Sequence, residues 1–169
     1  MKVTAAVSLS VIEDFETRAA ETDHQDLRLW LRMMTIHKLI NNESRRRLRT
    51  EFGMSLSRFD LMSQLDGKDQ GIRMGELSTR LMVTTGNITG LTNELADDGL
   101  VERMADPSSR RAYLVRLTPK GRRQFKAAAK ALENWISEFF SGFSQKDKKF
   151  LFELLGEQKK LILRQLGGN

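Results

Sequence analysis

Apolar residues recur at helical spacing in the middle of the chain, first four residues apart and then at positions i, i+3 and i+7. These positions are Leu77, Leu81, Ile88, Leu91 and Leu95. The spacing predicts two short helices, each with one apolar face. Between the two helices, Val83 and two threonines break the periodicity, and the threonines offer a hydroxyl N-cap for the second helix.

A hairpin is predicted directly after the second of these helices. Asp98 and Gly99 end the helix, and residues 100–104 and 112–117 read as two short strands. Residues 106–111 form the predicted turn, which begins with an Asp-Pro pair. Residues 72–74 are predicted to add a third short strand to the same sheet.

Longer helices flank this central region on both sides. Residues 27–52 predict one long helix whose apolar arc is wider than a helix packed on a single neighbour needs. Ser57 is predicted to cap a helix over residues 58–65. Thr118 and Pro119 predict the start of a helix that runs to about residue 140, because a hydroxyl N-cap followed by proline favours helix initiation.

The two ends of the chain complete this outline. Ser144 is predicted to cap a last helix that runs to about residue 166. Residues 1–26 are interpreted as an N-terminal arm, either with a short helix over residues 10–20 or as a disordered terminus.

Composition and charge limit the function classes. The 169 residues carry a net charge of +6, with a pI of about 9.8, which favours a polyanionic partner. The absence of cysteine excludes a disulfide framework and a thiolate metal site. Phosphate loops, nucleophile elbows and metal-binding histidine motifs are missing from the sequence, so we expect neither an enzyme nor a metal or cofactor site. Without a long apolar run or a signal peptide, we expect a cytoplasmic protein that does not contact membranes.

The polar side of the second short helix is the main candidate for a functional surface. If its leucines and isoleucine face inward, short polar residues and two glycines face outward, where they suit contacts with base edges and phosphates. Glycine costs a helix roughly 1 kcal/mol relative to alanine, so two exposed glycines call for a reason. The predicted DNA-binding residues on this segment are Thr84, Thr85, Gly86, Asn87, Thr89, Gly90 and Asn93. The alternative is a solvated polar face with incidental glycines.

Two arginines in the hairpin strengthen the DNA interpretation. Arg110 and Arg111 are predicted at its tip, where they could enter a narrow minor groove. Read alone, the hairpin is also consistent with a solvated turn that carries two charges. Next to a helix with an exposed polar face, it favours DNA binding.

Five short motifs stand out along the central part of the chain. They are Gly75-Glu76-Leu77, Thr85-Gly86-Asn87-Ile88-Thr89, Asp98-Gly99-Leu100-Val101-Glu102-Arg103, the run from Asp106 to Tyr113, and Leu117-Thr118-Pro119-Lys120-Gly121. With these motifs the chain resembles the MarR family of winged helix-turn-helix transcriptional regulators. The resemblance spans most of the chain after residue 26 and is most specific between the hairpin and the following Leu-Thr pair.

The resemblance implies a mainly α fold with a small β-hairpin wing. Residues 53–118 would form the winged helix-turn-helix DNA-binding domain, and residues 27–52 and 119–169 a helical dimerisation region. A homodimer on double-stranded DNA would place two recognition helices in successive major grooves of a near-palindromic operator. The resemblance thus implies a transcriptional regulator, most simply a repressor. In the family's wing an aspartate usually stands where this chain has Ser109, and it pairs with the arginine at position 111.

Many members of that family release DNA when a small phenolic or anionic ligand binds. The candidate ligand-binding residues here are Trp30, Met33, His37, Phe59 and Met62. Aromatic and thioether surfaces suit a flat ligand, and a histidine can bind a carboxylate. Taken singly, each of these residues is better interpreted as part of the hydrophobic core.

Two alternatives to a sequence-specific regulator remain at this point. One is a winged helix used as a protein-interaction module, and the other is a nonspecific architectural DNA-binding protein. Binding to DNA from upstream of this protein's own gene, compared with random DNA, separates all three.

Overall fold

A computed structural model describes residues 25–167, which contain six helices and three strands. In chain order these are α1 (Gln25–Phe52), α2 (Leu56–Leu65), β1 (Ile72–Arg73), α3 (Met74–Leu81), α4 (Thr85–Asp97), β2 (Val101–Asp106), β3 (Ser109–Leu117), α5 (Pro119–Phe139) and α6 (Gln145–Gln165). The described chain divides into two compact units, residues 25–43 and residues 44–167, with the division inside α1. The mainly helical fold with a small antiparallel sheet agrees with the prediction.

Most helix boundaries agree with the sequence pattern, and two differ. Helix α1 begins at Gln25, two residues earlier than predicted, and the helix predicted over residues 10–20 lies outside the described residues. Helix α2 begins at Leu56, so the prediction that Ser57 caps it was wrong. The Ser55 hydroxyl accepts a hydrogen bond from the Arg58 backbone N–H at 3.2 Å and caps this helix instead.

The sheet has the strand order β1-β3-β2, and both pairs are antiparallel. The predicted third strand is confirmed, because Ile72 lies opposite Val115 in β3. The hairpin is longer than predicted, and its turn contains only Pro107 and Ser108. The six-residue turn was therefore a wrong prediction.

Pairing between β2 and β3 continues to the very end of the hairpin. Ala105 lies opposite Tyr113, and after an irregularity Asp106 lies opposite Ser109. The backbone of Arg110 and Arg111 therefore belongs to strand β3, just after the turn rather than in it.

The inner face of α4 is fixed by the hydrophobic core of the second unit. Ile88 and Leu95 are fully buried, together with Leu77 of α3 and Val115 of β3. Thr92 is also fully buried, whereas the predicted inward residue Leu91 is only partly buried at the edge of the core. This stripe sets which face of α4 remains outside.

A close backbone contact seats α5 against the start of β2. A Cβ atom at Gly121 would lie 1.9 Å from the Leu100 carbonyl oxygen, so only glycine fits there. The Thr118 hydroxyl accepts the Gly121 N–H at 3.0 Å, as expected of an N-cap, and the Thr118 N–H donates to Leu100 O at 3.0 Å. This contact joins the wing to the helix that follows it.

We expect Gly121→Ala to lower the free energy of unfolding by roughly 1–3 kcal/mol or more, because the added methyl overlaps backbone that has little room to shift. Gly75→Ala in α3 is the matched control. Its added Cβ meets nothing within 4 Å, so it should raise helix stability by up to about 1 kcal/mol. Urea denaturation measures both values, and equal stability of Gly121→Ala and the parent chain would contradict the contact.

Candidate nucleic-acid interface

The outer face of α4 is exposed along its whole length. All seven residues that the sequence predicted for this surface are exposed, namely Thr84, Thr85, Gly86, Asn87, Thr89, Gly90 and Asn93. The Thr84 hydroxyl accepts the Asn87 backbone N–H at 3.3 Å and caps the helix, as predicted. The Thr89 hydroxyl donates to Thr85 O at 3.0 Å, so its remaining lone pairs face outward as acceptors.

The two glycines on this face have no structural requirement inside the chain. A Cβ atom added at Gly86 or Gly90 would meet nothing within 4 Å, and neither residue has a positive φ. Alanine would fit both positions and would favour the helix by roughly 1 kcal/mol each. What the glycines provide is a backbone that another molecule can approach closely.

A neighbouring arginine that the sequence analysis did not select completes this face. The Arg103 guanidinium, on β2, donates a hydrogen bond to Oδ1 of Asn93. Because guanidinium has no acceptor, the amide of Asn93 must turn its oxygen toward Arg103 and its NH2 group away from it. Arg103 follows Asn93 by only ten residues, across the turn between α4 and β2, and it lies within one of the motifs quoted above. This short separation is the sequence signal that could have identified Arg103 as a neighbour of α4.

Charge divides α4 into two halves. The N-terminal half carries hydroxyls, amides and the positive end of the helix dipole, whereas Glu94 and Asp97 are exposed in the C-terminal half. Asp98, at the C-cap, forms an ion pair with Arg58. A polyanion is therefore favoured at the N-terminal half of the helix.

The turn of the wing is held by a closed set of hydrogen bonds. Arg73 Nε donates to Asp106 Oδ2 at 2.6 Å, and Arg73 Nη2 donates to the Ser108 hydroxyl at 2.5 Å. The Ser108 hydroxyl and backbone N–H in turn donate to Asp106 Oδ1 at 2.7 Å and 2.8 Å. The hydrogen bonds from Arg73 and Ser108 lower the pKa of Asp106 to about 2.

The Asp-Pro turn was predicted from the sequence but this cluster was not, because Arg73 lies 33 residues before Asp106 in the chain. The side chains of Ser109, Arg110 and Arg111 lie outside the described part of the structure. The assignment of both arginines to DNA therefore stays a prediction.

Of the five predicted ligand-binding residues, three lie in the first unit and two in the second. In residues 25–43, Trp30 is about half exposed, Met33 is partly buried, and the exposed His37 has Nε2 2.8 Å from the Asn41 amide nitrogen. In residues 44–167, Met62 is fully buried and Phe59 packs on Phe125 with ring centroids 5.2 Å apart. A shared role in ligand binding stays a prediction.

Two surface clefts of about 410 and 530 Å³ lie in the second unit, and neither is lined by Phe59 or Met62. Between residues 25 and 167, no helix has both the length and the hydropathy needed to cross a bilayer. The same stretch contains no group of three His, Asp or Glu side chains suited to hold a metal ion.

Comparison with known proteins agrees with this geometry. A family model described as a winged helix DNA-binding domain matches residues 57–136. The transcriptional repressor YetL of Bacillus subtilis is 29% identical over 148 residues, which cover 87% of each chain.

Solved structures identify the family. A crystal structure of a MarR family transcriptional regulator from Silicibacter pomeroyi is 32% identical, with a TM-score of 0.70, and the match covers 85% of this chain and 99% of that one. A crystal structure of CouR from Rhodococcus jostii, bound to p-coumaroyl-CoA, shares the fold at 20% identity, with a TM-score of 0.66 and coverage of 75% of this chain and 88% of that one. The fold and the exposed recognition helix define a winged-helix regulator. The chain belongs to the MarR family of transcriptional regulators.

We expect the Asp106 cluster to stabilise the fold at neutral pH and to lose this effect in acid. The folded-state pKa of about 2 lies below the ordinary value of 3.8, so the stabilisation is complete above about pH 4 and disappears as the pH falls through 2. The difference in melting temperature between the parent chain and Asp106→Asn should therefore shrink between pH 4 and pH 2. Asp97→Asn, at an exposed aspartate, is the control, and a difference that stays constant down to pH 2 would refute the cluster's role.

Proposed function

We propose that this protein is a homodimeric, sequence-specific DNA-binding regulator that acts in the cytoplasm as a repressor on a near-palindromic operator. The observation that carries the proposal is the exposed N-terminal half of α4. It combines hydroxyl and amide groups with two glycines that the fold does not need. Base edges in a major groove take such donors and acceptors, and a helix without side chains at two positions can lie deep in the groove.

The wing supplies the second contact in this proposal. The hydrogen bonds among Arg73, Asp106 and Ser108 fix the conformation of the hairpin turn, which leads directly into β3. Arg110 and Arg111 follow at once in the sequence, and we assign them to the DNA backbone or minor groove. Arg103 adds a cation beside Asn93 at the edge of the recognition helix.

Dimerisation is supported by apolar surface that the single chain leaves uncovered. No residue of α6 is buried, and its exposed apolar side chains are Phe150, Phe152, Leu154, Leu155, Leu161, Ile162 and Leu163. In the first unit Leu27, Leu29, Ile36 and Leu39 are also exposed. Surfaces this apolar mark interaction sites, and family membership favours a second copy of the chain as the partner.

We assign a repressor role because the relative YetL is a transcriptional repressor. We also propose that the protein responds to a small ligand. Trp30, Met33 and His37 offer apolar and hydrogen-bonding groups within the first unit, and CouR holds an anionic aromatic thioester in a protein of the same fold. We therefore propose a small anionic effector that contacts these residues of the first unit.

We expect the protein to bind DNA from upstream of its own gene in preference to random DNA of equal length. Fluorescence anisotropy at several salt concentrations measures the affinity, and light scattering of the complex gives the number of chains on each duplex. If the dimer makes six phosphate contacts, the affinity should fall about a thousandfold between about 50 and 200 mM salt. Two chains should be found on each duplex.

The other outcomes contradict the proposal in separable ways. Equal affinity for upstream and random DNA indicates an architectural DNA-binding protein. Failure to bind either DNA indicates a protein-interaction module. A single chain on each bound duplex refutes the homodimer.

A further inference from the structure

The turn between α3 and α4 contains a methionine in an unfavourable backbone conformation. Met82 has φ 53° and ψ 40°, in the left-handed region, and it is the one non-glycine residue with positive φ in the described part of the chain. Steric conflict with Cβ makes this conformation costly for any residue other than glycine, with asparagine and aspartate partly excepted. The described positions that share the positive φ are Gly53, Gly67, Gly71, Gly99 and Gly167.

Burial of the Met82 side chain does not compensate for this conformational strain within the folded chain. It is 93% exposed, whereas Leu81 and Val83 on either side are partly buried against the core. The two neighbours therefore anchor the turn and hold the thioether side chain in solvent. A glycine at this position would make the same turn without the strain and without an exposed apolar group.

The position of Met82 suggests what it contacts. It lies two residues before the N-cap Thr84, at the end of α4 that carries the exposed hydroxyls and Gly86. A group that reaches into a major groove beside this end of the helix meets base edges. Among unmodified bases, the C5-methyl of thymine is the apolar group displayed there.

We propose that Met82 is a specificity-determining residue that packs against a thymine methyl group of the operator. This inference rests on the proposed DNA-binding function and adds a base preference to it. The flexible, polarisable side chain of methionine suits contact with a single methyl group, and the anchored turn holds it at a fixed distance from α4. Strain in the free protein is then offset by apolar surface that becomes buried only on DNA.

The test compares thymine with uracil, which lacks the C5-methyl. The upstream fragment is amplified with dTTP or with dUTP, and anisotropy gives the affinity of the parent chain, Met82→Ala and Met82→Leu for each duplex. Loss of one buried methyl contact in each half-site should weaken binding by the parent chain about fourfold per half-site, or about fifteenfold for the dimer. Met82→Ala should bind the thymine duplex more weakly and show a much smaller difference between the duplexes, while Met82→Leu should retain the difference.

A measurement of thermal stability separates the loss of a DNA contact from an effect of the substitution on folding. Met82→Gly should melt at the same temperature as the parent chain or higher, because it relieves the strained turn, and yet bind the thymine duplex more weakly. An unchanged thymine-to-uracil ratio in Met82→Ala overturns the role of Met82 while the proposed function stands. Failure of the parent chain to prefer the upstream fragment overturns both.

Discussion

Burial of one face of α4 in the hydrophobic core determines which of its side chains are exposed on the opposite face. Ile88, Thr92 and Leu95 are fully enclosed by the core of the second unit, so the helix cannot rotate without exposing them. Full burial of each large aliphatic side chain contributes roughly 1.5–3 kcal/mol, which fixes the rotation of the helix about its axis. The hydroxyls, amides and glycines on the opposite face therefore project outward in every folded molecule.

Two local contacts extend this constraint to the wing. Gly121 lies against the Leu100 carbonyl and seats the start of β2 on α5, while Asp106 joins the far end of the hairpin to Arg73 on β1. The hairpin is thus held at its base and near its turn, and Arg103 connects its first strand to Asn93 on α4. Recognition helix and wing form one preorganised surface, which lowers the conformational entropy lost on binding DNA.

Local sequence patterns predicted the elements and the exposed face, because helical periodicity, N-caps and turn residues act over a few positions. The hydroxyl caps Thr84 and Thr118 illustrate this. Long-range partners were missed, since nothing local pairs Arg73 with Asp106. The hairpin turn was predicted too long because Ser109 and the two arginines lack an apolar alternation, although all three belong to β3 and Ser109 pairs with Asp106. Thr92 reads as polar, yet its place in the helix carries it into the core.

The most direct test of the outward face of α4 as the DNA-binding surface is paired stability and affinity data for Gly90→Ala, with Gly75→Ala in α3 as control. Both changes should raise the free energy of unfolding by up to about 1 kcal/mol, since alanine favours helix and both sites have room for a methyl group. Only Gly90→Ala should weaken binding to the upstream fragment, by roughly tenfold, or about 1.4 kcal/mol. Unchanged or tighter DNA binding by Gly90→Ala would contradict the account.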